Sequence, residues 1–524
     1  MIFRSPYPDV SIPDLPLTPF VLRQAGRLPN KPALIDGVSR QILTYSQLAD
    51  GVKRTATGLA AHGFGKGEVF AISTPNCPEF AIALHAVLSL GGIVTPANPL
   101  QTADELASQL NDAGATYLLT VPDSLERLAP GIARSKVREV FTIGEAPGAT
   151  PFATLLDHGN DPPQVTIDPR HDLALLPYSS GTTGLPKGVM LTHANLVANL
   201  AQVMASEPIS ERDTLIGILP LFHIFGMTVV MNFGLAMGAT IVTLPRFNLE
   251  QFLQTLELYR VTYAYVVPPI ILALAKQPVV EHYDLSNLRC LMSGAAPLSA
   301  ELATSCRQRL GCAVKQGYGL TEASPVSHIN PPDPDRIKLA SIGPLVAGTE
   351  GRVVDPETGA ELGPGAQGEI RIRGPQVMKG YLHRPEQTAA MLDADGWLRT
   401  GDLGCADEDG YFYVLDRLKE LIKVKGFQVA PAELEGILLT HPAVADAAVI
   451  PSPDEDAGEV PKAFIVLRTA ATPEDLMTFV AERVAPYMKV RRLEFVEQIP
   501  KSPSGKILRR VLVERERTGA LDRG

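Results

Sequence analysis

The sequence predicts an α/β protein with a large, multi-subdomain N-terminal domain that contains parallel sheets, and a small mobile α+β C-terminal domain. First, a chain of 524 residues is too long to fold around one hydrophobic core, so at least two domains are expected. Second, strand-type and helix-type segments alternate through the first half, which favours parallel sheets covered by helices. Third, the pattern changes near Asp416. We therefore expect an N-terminal domain over 1–415, a hinge over 416–419 and a C-terminal domain over 420–524.

The alternating elements of the first half begin with a helix that Ser46 is expected to cap and that ends near His62, with Gly63 as its stop. A second series follows Asp172 and comprises a strand, a glycine-rich loop, another strand and a helix over 194–204. Between these series we expect, in chain order, a strand over 68–74, a helix over 78–90, a strand over 93–97, a helix over 103–113 and a strand over 116–121.

The last hundred or so residues predict a compact α+β unit. Pro431 suits the first turn of a helix whose apolar side chains share one face. Thr472, with an acidic residue three positions later, predicts a second helix start. The remaining elements are expected to be strands over 443–450, 463–467 and 492–496 and a final helix after Gly505.

Composition excludes several classes of protein. The net charge of −10 argues against nucleic-acid binding, which requires a basic surface. No uninterrupted apolar run approaches the roughly 20 residues of a membrane span. The five cysteines are scattered and never form a C-x-x-C pair, a pattern typical of a reducing compartment. We therefore expect a cytoplasmic protein without a membrane span.

The most informative segment is residues 178–188, which read YSSGTTGLPKG. Glycines let successive backbone N–H groups face one anion, hydroxyl groups add donors, and a lysine adds a point charge for phosphate. The spacing differs from that of a Walker A loop. A short Gly/Ser/Thr-rich stretch is usually only a loop, but a run of this length between two strands favours a phosphate-binding function.

This segment resembles the signature loop of the adenylate-forming superfamily, which includes acyl-CoA synthetases, luciferases and peptide-synthetase adenylation domains. The run 416–435 is most similar to the 4-coumarate–CoA ligase and luciferase-like branch. Other segments similar to motifs of that superfamily follow in its order, at 220–226, 293–298, 316–322, 400–404 and 500–506. The resemblance implies that the protein uses ATP and Mg²⁺ to convert a carboxylic acid into its acyl-adenylate, and then transfers the acyl group to coenzyme A.

The resemblance also implies roles for individual residues. Thr182, His223, Glu322 and Lys506 are the expected catalytic residues; Lys506 would bridge the carboxylate and the α-phosphate, and Glu322 would hold Mg²⁺. The residues expected to bind ATP are Ser179, Ser180, Gly181, Thr182, Thr183, Lys187, Ala295, Gln316, Gly317, Tyr318, Thr321, Asp402, Arg417, Lys423 and Lys506.

Each of these residues also has an ordinary structural interpretation. Asp402 follows a glycine and could be a turn residue, and Lys506 could be a solvated helix start. His223 lies among apolar residues and could be a packed core histidine, while Glu322 could be an exposed acid. The order of the motifs along the chain, rather than any single residue, supports the functional interpretation.

The resemblance places Lys425, Gly426 and Lys506 on one small domain, although all three act at one site. We therefore expect the small domain to rotate about Lys419 between the two half-reactions. Lys425 and Gly426 would then border the pantetheine tunnel. Arg246 lies where related enzymes hold a basic residue near the coenzyme A nucleotide, although an exposed arginine at a strand end is an equally good interpretation.

The resemblance implies an acyl pocket formed by His223, Phe225, Val229, Met292, Ala295, Gly319, Pro325 and Val326. Plant coumarate ligases tend to hold polar side chains where this chain has Phe225, Val229 and Met292. That difference favours a medium-chain or long-chain fatty acid, or an arylpropenoate with few hydroxyl groups, because a buried phenol without a partner costs free energy. An amino acid is disfavoured because no carboxylate occurs between Gly217 and Phe233.

Three other functions remain open at this point: an acyl-AMP ligase that loads a separate carrier protein, a luciferase-like oxygenase, and a non-catalytic nucleotide-binding protein. The chain keeps Lys506, Glu322 and Asp402, which argues against the last of these. The oligomeric state is not predicted.

Overall fold

The computed structural model describes residues 1–179, 186–425, 427–454, 456–502 and 505–521. The strands, numbered in chain order, are β1 (Phe3–Arg4), β2 (Pro32–Asp36), β3 (Ile42–Thr44), β4 (Val69–Ile72), β5 (Ile93–Pro96), β6 (Ala115–Thr120), β7 (Glu139–Thr142), β8 (Thr150–Pro151), β9 (Leu173–Leu175), β10 (Tyr178–Ser179), β11 (Lys187–Thr192), β12 (Thr214–Gly217), β13 (Thr240–Thr243), β14 (Tyr263–Val266), β15 (Cys290–Ser293), β16 (Ala313–Gly319), β17 (Val326–Ile329), β18 (Glu350–Val354), β19 (Gly368–Arg373), β20 (Gly380–Tyr381), β21 (Leu398–Ala406), β22 (Phe412–Arg417), β23 (Ile422–Val424), β24 (Phe427–Val429), β25 (Val444–Asp454), β26 (Gly458–Leu467) and β27 (Arg492–Phe495).

The α-helices are α1 (Leu17–Val21), α2 (Tyr45–Ala61), α3 (Pro78–Ser89), α4 (Ala103–Ala113), α5 (Pro122–Ala133), α6 (His193–Ser206), α7 (Phe233–Met237), α8 (Leu249–Leu258), α9 (Pro268–Lys276), α10 (Ala300–Leu310), α11 (Pro385–Met391), α12 (Pro431–Thr440), α13 (Pro473–Ala481) and α14 (Arg509–Leu521). A π-helix covers Phe225–Asn232. Short 3₁₀ turns lie at Leu22–Gln24, Phe152–Asp157, Pro278–His282, Thr321–Ala323, Pro334–Arg336 and Pro486–Met488.

Two large sheets form the body of the N-terminal region. One has the strand order β10-β11-β9-β5-β4-β6-β7-β8, with β20 also pairing with β11. The other has the order β17-β16-β15-β14-β12-β13-β2-β3 and is parallel from β16 through β2. The predicted α/β class is confirmed.

Most predicted elements of the first half are present within about three residues of the expected ends, as ordinary variation in helix boundaries allows. The cap of α2 was predicted wrongly, because Thr44 rather than Ser46 precedes the first helical residue. The Thr44 hydroxyl accepts from the Gln47 backbone N–H, and the Gln47 side chain accepts from Thr44 N–H. This reciprocal capping box leaves Ser46 inside the first turn.

A third sheet of the N-terminal region, with the order β1-β18-β19-β21-β22, is antiparallel and was not anticipated from the sequence. Its last pair, β21 and β22, sets Asp402 directly opposite Arg417. Strand β22 runs to Arg417, so this sheet extends into the segment predicted as the hinge. Lys419 follows in an exposed turn before β23.

The C-terminal region has its own sheet, ordered β24-β23-β26-β25 with β27 on β26, and its own hydrophobic core. Helix α13 begins as predicted, with Thr472 and Asp475 forming a capping box. Strands β25 and β26 form a longer hairpin than expected, from Val444 to Leu467. A large N-terminal α/β part and a smaller α+β C-terminal part are therefore both present.

A close backbone contact connects the two parts. Gly505 has a φ of 79°, and a Cβ atom there would lie 3.2 Å from Val267 Cγ2, on the segment after β14. Glycine adopts this left-handed conformation without strain and leaves room for the approach. The contact brings the next residue, Lys506, to the large part of the molecule. No helix among the described residues is long and apolar enough to cross a membrane.

Candidate active site

A cavity lies where the carboxyl ends of β14, β15 and β16 meet, the edge at which open α/β sheets bind ligands. All of the side chains predicted for the acyl pocket line it. Of the residues predicted to bind ATP, the cavity wall includes Ala295, Gly317, Tyr318, Thr321 and Lys506. The wall also contains residues that the sequence analysis did not name: Ile224, Tyr265, Ser293, Gly294, Leu320 and Ile329.

Two glycines determine how closely the cavity walls approach. A Cβ atom on Gly319 would lie 2.0 Å from the Pro325 carbonyl oxygen, and one on Gly294 would lie 2.9 Å from the Phe225 ring. Neither position tolerates a larger residue without movement of the neighbouring backbone or ring. We name the part of the cavity between the β16 backbone and the Phe225 ring the slot.

His223 stands at the start of the segment that contributes Phe225 and Val229 to the wall. The Phe225 backbone N–H donates to His223 Nδ1 at 3.2 Å, so the hydrogen of the neutral ring is assigned to Nε2. Burial, and secondarily the positive charge of Lys506, lower the pKa of His223 to about 3. The ring is therefore neutral at ordinary pH and presents one N–H donor.

Lys506 reaches the cavity from a tight turn. Its backbone N–H donates to Ser502 Oγ at 3.1 Å, and the Ser502 N–H donates to the Lys506 carbonyl at 2.8 Å. Burial and the nearby Arg417 lower the pKa of the Lys506 ammonium, while Asp402 and Glu322 oppose that shift. The ammonium is thus held in a partly desolvated position where an anion would be a strong partner.

Asp402 forms a buried acceptor beside an aromatic ring. The Tyr318 hydroxyl donates to Asp402 Oδ2, and Arg417 Nε lies 3.3 Å from Oδ1. Burial raises the pKa of Asp402, and the Arg417 charge and the Tyr318 hydrogen bond oppose that effect. A carboxylate next to the half-buried ring of Tyr318 suits recognition of neighbouring sugar hydroxyl groups and a nucleobase.

Glu322 is the centre of a second polar group. Its Oε1 accepts from Ser179 Oγ at 2.9 Å and from the Tyr381 hydroxyl at 2.7 Å. Lys187 Nζ lies 4.9 Å from the centre of the Tyr381 ring. Tyr381 was missed by sequence reasoning because it lies outside every recognised motif, on the short strand β20 that pairs with β11.

Ser179 and Lys187 are paired across β10 and β11, at the two ends of the predicted phosphate loop. Ser180, Gly181, Thr182 and Thr183 lie outside the described residues, as does Gly426. The roles predicted for these five residues stay predictions.

Four other predicted site residues are not part of the cavity wall. Arg246, Lys423 and Lys425 are exposed side chains elsewhere on the surface. The Gln316 amide is used by the fold, since it donates to the backbone carbonyls of Leu298 and Leu339. Their roles toward ATP or coenzyme A stay predictions.

The residues around Glu322 fit Mg²⁺. The described residues contain no cluster of three or more side chains that could hold a metal ion by themselves. Ser179 and Tyr381 both donate to Oε1, so neither occupies Oε2. Mg²⁺ commonly binds through one or two carboxylates together with substrate phosphates, and Glu322 beside a phosphate loop offers that combination.

Comparison with protein-family models gives two matches that together span most of the chain. The model for AMP-binding enzymes matches residues 21–382, and the model for the C-terminal domain of AMP-binding enzymes matches residues 433–506. The chain belongs to the AMP-binding enzyme family. The predicted superfamily is confirmed.

Curated relatives of this AMP-binding enzyme include 4-coumarate–CoA ligase 2 of Nicotiana tabacum, which is 43% identical over 98% of this chain and 96% of the relative. The 4-coumarate–CoA ligase of Pinus taeda is also 43% identical, over 98% of this chain and 97% of its own length. The predicted enzyme class is confirmed: the protein is an AMP-forming acid–thiol ligase that uses ATP, Mg²⁺ and coenzyme A.

Solved structures agree with this family assignment. The anthranilate CoA ligase AuaEII in complex with anthranoyl-AMP matches with a TM-score of 0.90 and 28% identity, covering 97% of this chain and 98% of that one. ATP-bound MatB from Rhodopseudomonas palustris matches with a TM-score of 0.87 and 31% identity, covering 96% and 99%.

The lowered pKa of Lys506 gives a pH dependence with a definite sign. The ammonium must be charged to neutralise an incoming anion, and its charge is lost as pH rises through the lowered pKa. We expect kcat/KM for pyrophosphate release to decline on the alkaline side below pH ~10, where an ordinary lysine stays charged. A Lys506→Arg variant should be slower overall, but it should not show this alkaline decline, because a guanidinium group does not deprotonate in that pH range. Superimposable alkaline limbs in the two proteins would contradict the assignment.

Proposed function

We propose that this AMP-binding enzyme ligates an arylpropenoic acid of the 4-coumarate or cinnamate type to coenzyme A. The observation that supports this substrate class is the apolar lining of the slot, in which the Phe225 ring lies against Gly294 and is joined by Val229 and Met292. A flat conjugated acid fills such a slot with its ring and presents its carboxylate to Lys506. The names of the relatives at 43% identity point to the same substrate class.

In the first half-reaction a carboxylate oxygen attacks the α-phosphorus of ATP and pyrophosphate leaves. Two anions must approach each other, so positioning and charge neutralisation dominate catalysis. We assign the bridging cation to Lys506, and we assign a hydrogen bond to the carboxylate to the Nε2–H of His223. Mg²⁺ on Glu322 would neutralise charge on the leaving pyrophosphate.

We assign the nucleotide to the opposite side of the cavity. Tyr318 would contact the adenine and Asp402 would accept from the ribose hydroxyl groups, with Arg417 fixing its orientation. Ser179, Lys187 and the loop between them would hold the triphosphate. Burial raises the pKa of Asp402, and the Arg417 charge and the Tyr318 hydrogen bond oppose that shift, as hydrogen bonds from ribose hydroxyl groups would.

In the second half-reaction, the coenzyme A thiol attacks the acyl carbon and AMP is released. This step requires different residues of the small domain. In this structure Lys506 lines the cavity, whereas Lys425 is exposed elsewhere. We propose that residues 420–524 rotate against 1–415 about Lys419. Such a rotation would break the hydrogen bond from the Ala432 N–H to Asp416 Oδ2, 2.8 Å long, which crosses the hinge.

Arg246, Lys425 and Gly426 are assigned to coenzyme A by resemblance to related enzymes. A cytoplasmic location is assigned from the scattered cysteines, all five of which are free thiols. A carrier protein as acceptor and a fatty acid as substrate are alternatives that the following assay separates.

The assay measures pyrophosphate release and acyl-CoA formation with 4-coumarate, cinnamate, fatty acids of medium and long chain, and amino acids, with and without coenzyme A. We expect coenzyme A-dependent turnover with the arylpropenoates, at a kcat/KM about tenfold or more above that of fatty acids, because a flexible chain makes poorer use of a flat slot. Preferred turnover of fatty acids would contradict the substrate class. If pyrophosphate release stops at one equivalent per enzyme molecule and no acyl-CoA is formed, that result would contradict coenzyme A as the acceptor.

A matched pair of lysine variants controls that assay. Lys506→Ala should reduce adenylation by about 10²–10³-fold, because it removes a charge positioned at the reacting groups. Lys501 lies five positions earlier and forms an ion pair with Asp446 at 2.7 Å, away from the cavity. Lys501→Ala should retain adenylation.

The hinge is tested by restricting it. Lys419→Pro fixes one backbone dihedral, and within the described structure the Lys419 N–H donates no hydrogen bond that proline would remove. We expect adenylation to stay within a few-fold of wild type, and acyl-CoA formation from supplied acyl-adenylate to fall by about 100-fold. Lys419→Ala should retain both half-reactions. Equal rates of thioester formation in the two variants would contradict rotation at this residue.

A further inference from the structure

Tyr381 is a buried residue that contacts two charged residues of the proposed phosphate and metal site. Its hydroxyl group donates to Glu322 Oε1 at 2.7 Å, and Lys187 Nζ lies 4.9 Å from the centre of its ring. Glu322 is the carboxylate proposed to hold Mg²⁺, and Lys187 is one of the residues proposed to hold the triphosphate. A single side chain therefore connects the two.

The backbone on either side of Tyr381 is attached to the same two parts of the site. The Met378 N–H donates to the Glu322 carbonyl at 2.8 Å, and the Leu382 N–H donates to the Gly188 carbonyl at 2.9 Å. Strand β20, which contains Tyr381, also pairs with β11 at the end of the phosphate loop. These contacts hold the Tyr381 hydroxyl group in a defined place relative to the Glu322 side chain.

The two oxygens of the Glu322 carboxylate are used differently. Oε1 accepts from both the Tyr381 hydroxyl group and Ser179 Oγ, and no described residue donates to Oε2. Two donors on one oxygen restrict rotation of the carboxylate and leave the other oxygen available for a cation. Carboxylates that bind metal ions are commonly oriented by such neighbouring hydrogen bonds.

Only one of the two donors is independent of the nucleotide. Ser179 lies on β10 at one end of the phosphate loop, and it is itself proposed to contact the triphosphate. Tyr381 lies on a different strand, so its hydrogen bond to Glu322 does not compete with that contact. Tyr381 is therefore the donor that can keep the carboxylate oriented while ATP is bound.

We infer that Tyr381 is a positioning residue for Mg²⁺: its hydroxyl group holds Oε1 of Glu322 and thereby leaves Oε2 to bind the metal ion. This inference rests on the proposed role of Glu322 toward Mg²⁺ and adds the residue that orients it. Tyr381→Phe is the informative variant, because it removes the hydroxyl group and keeps the ring beside Lys187.

The test measures ATP binding by titration calorimetry with and without Mg²⁺, in the absence of any carboxylic acid. The readout is the dissociation constant without Mg²⁺ divided by that with Mg²⁺. We expect this ratio to fall by about tenfold in Tyr381→Phe, because losing a hydrogen-bond partner of a metal-binding carboxylate typically costs at least that much in metal affinity. The dissociation constant without Mg²⁺ should stay within a few-fold of wild type, since the ring is retained.

Tyr263→Phe is the matched control. Tyr263 is also buried and also donates to a glutamate, Glu207, but it lies outside the cavity wall. The variant should have a lower melting temperature and the wild-type ratio, because it loses a buried hydrogen bond that is remote from the metal site. An equal fall of the ratio in Tyr263→Phe would overturn the inference.

Glu322→Gln separates this inference from the proposed function on which it rests. If Glu322→Gln lowers the ratio and Tyr381→Phe keeps the wild-type ratio, the inference is overturned while the role of Glu322 stands. If Glu322→Gln also keeps the wild-type ratio, the role of Glu322 fails and the inference falls with it. Added to Glu322→Gln, Tyr381→Phe should cause no further fall, because the hydroxyl group acts through that carboxylate. A further fall of about tenfold would overturn the inference.

Discussion

Placement of one ammonium group beside an apolar slot is the constraint on which the rest of the account depends. A carboxylate and a polyphosphate repel each other, and a partly desolvated cation between them is worth far more than a solvated one. Lys506 is held there by a turn whose Gly505 backbone contacts Val267 of the large part. Burial in that position lowers the pKa of Lys506, and we expect bound substrate anions to raise it again because they stabilise the charged ammonium.

The same constraint explains the two-part architecture. In the proposed mechanism, a cation used for adenylation would obstruct the approach of the thiol if it stayed in place, so we propose that it is carried on a part that withdraws. The turn at Lys419 lies between two sheets with separate cores, and the hydrogen bond between Asp416 and Ala432 spans it. Because the cores are separate, the small part could change position without disturbing either of them.

Much of the fold follows from local sequence signals. Alternating periodicity predicted the parallel sheets, and Thr472 with Asp475 marked the start of α13. The misplaced cap at Ser46 shows the limit of such signals, because Thr44 two residues earlier offers the same chemistry. The antiparallel sheet that contains Asp402 and Arg417 was not predicted: β21 and β22 are consecutive strands, but β1 joins the sheet by pairing with β18, which is distant in sequence.

The residues of the candidate site likewise fall into those that local sequence signals predicted and those that only the fold brings together. Residues within recognised motifs, such as His223, Tyr318 and Glu322, were found because chemistry concentrates them in short runs. Tyr381 was missed because it lies on the short strand β20 outside every recognised motif, and its importance comes from its hydrogen bond to Glu322.

The most direct test that the reaction passes through an acyl-adenylate, the intermediate for which the Lys506 ammonium is positioned, follows one oxygen atom. If 4-coumarate labelled with ¹⁸O in both carboxylate oxygens is converted with ATP and coenzyme A, the carboxylate oxygen that attacks the α-phosphorus leaves with AMP when the thiol takes the acyl carbon. The account predicts one ¹⁸O atom in each AMP formed and none in pyrophosphate. Label in pyrophosphate or free phosphate, or AMP without label, would contradict it.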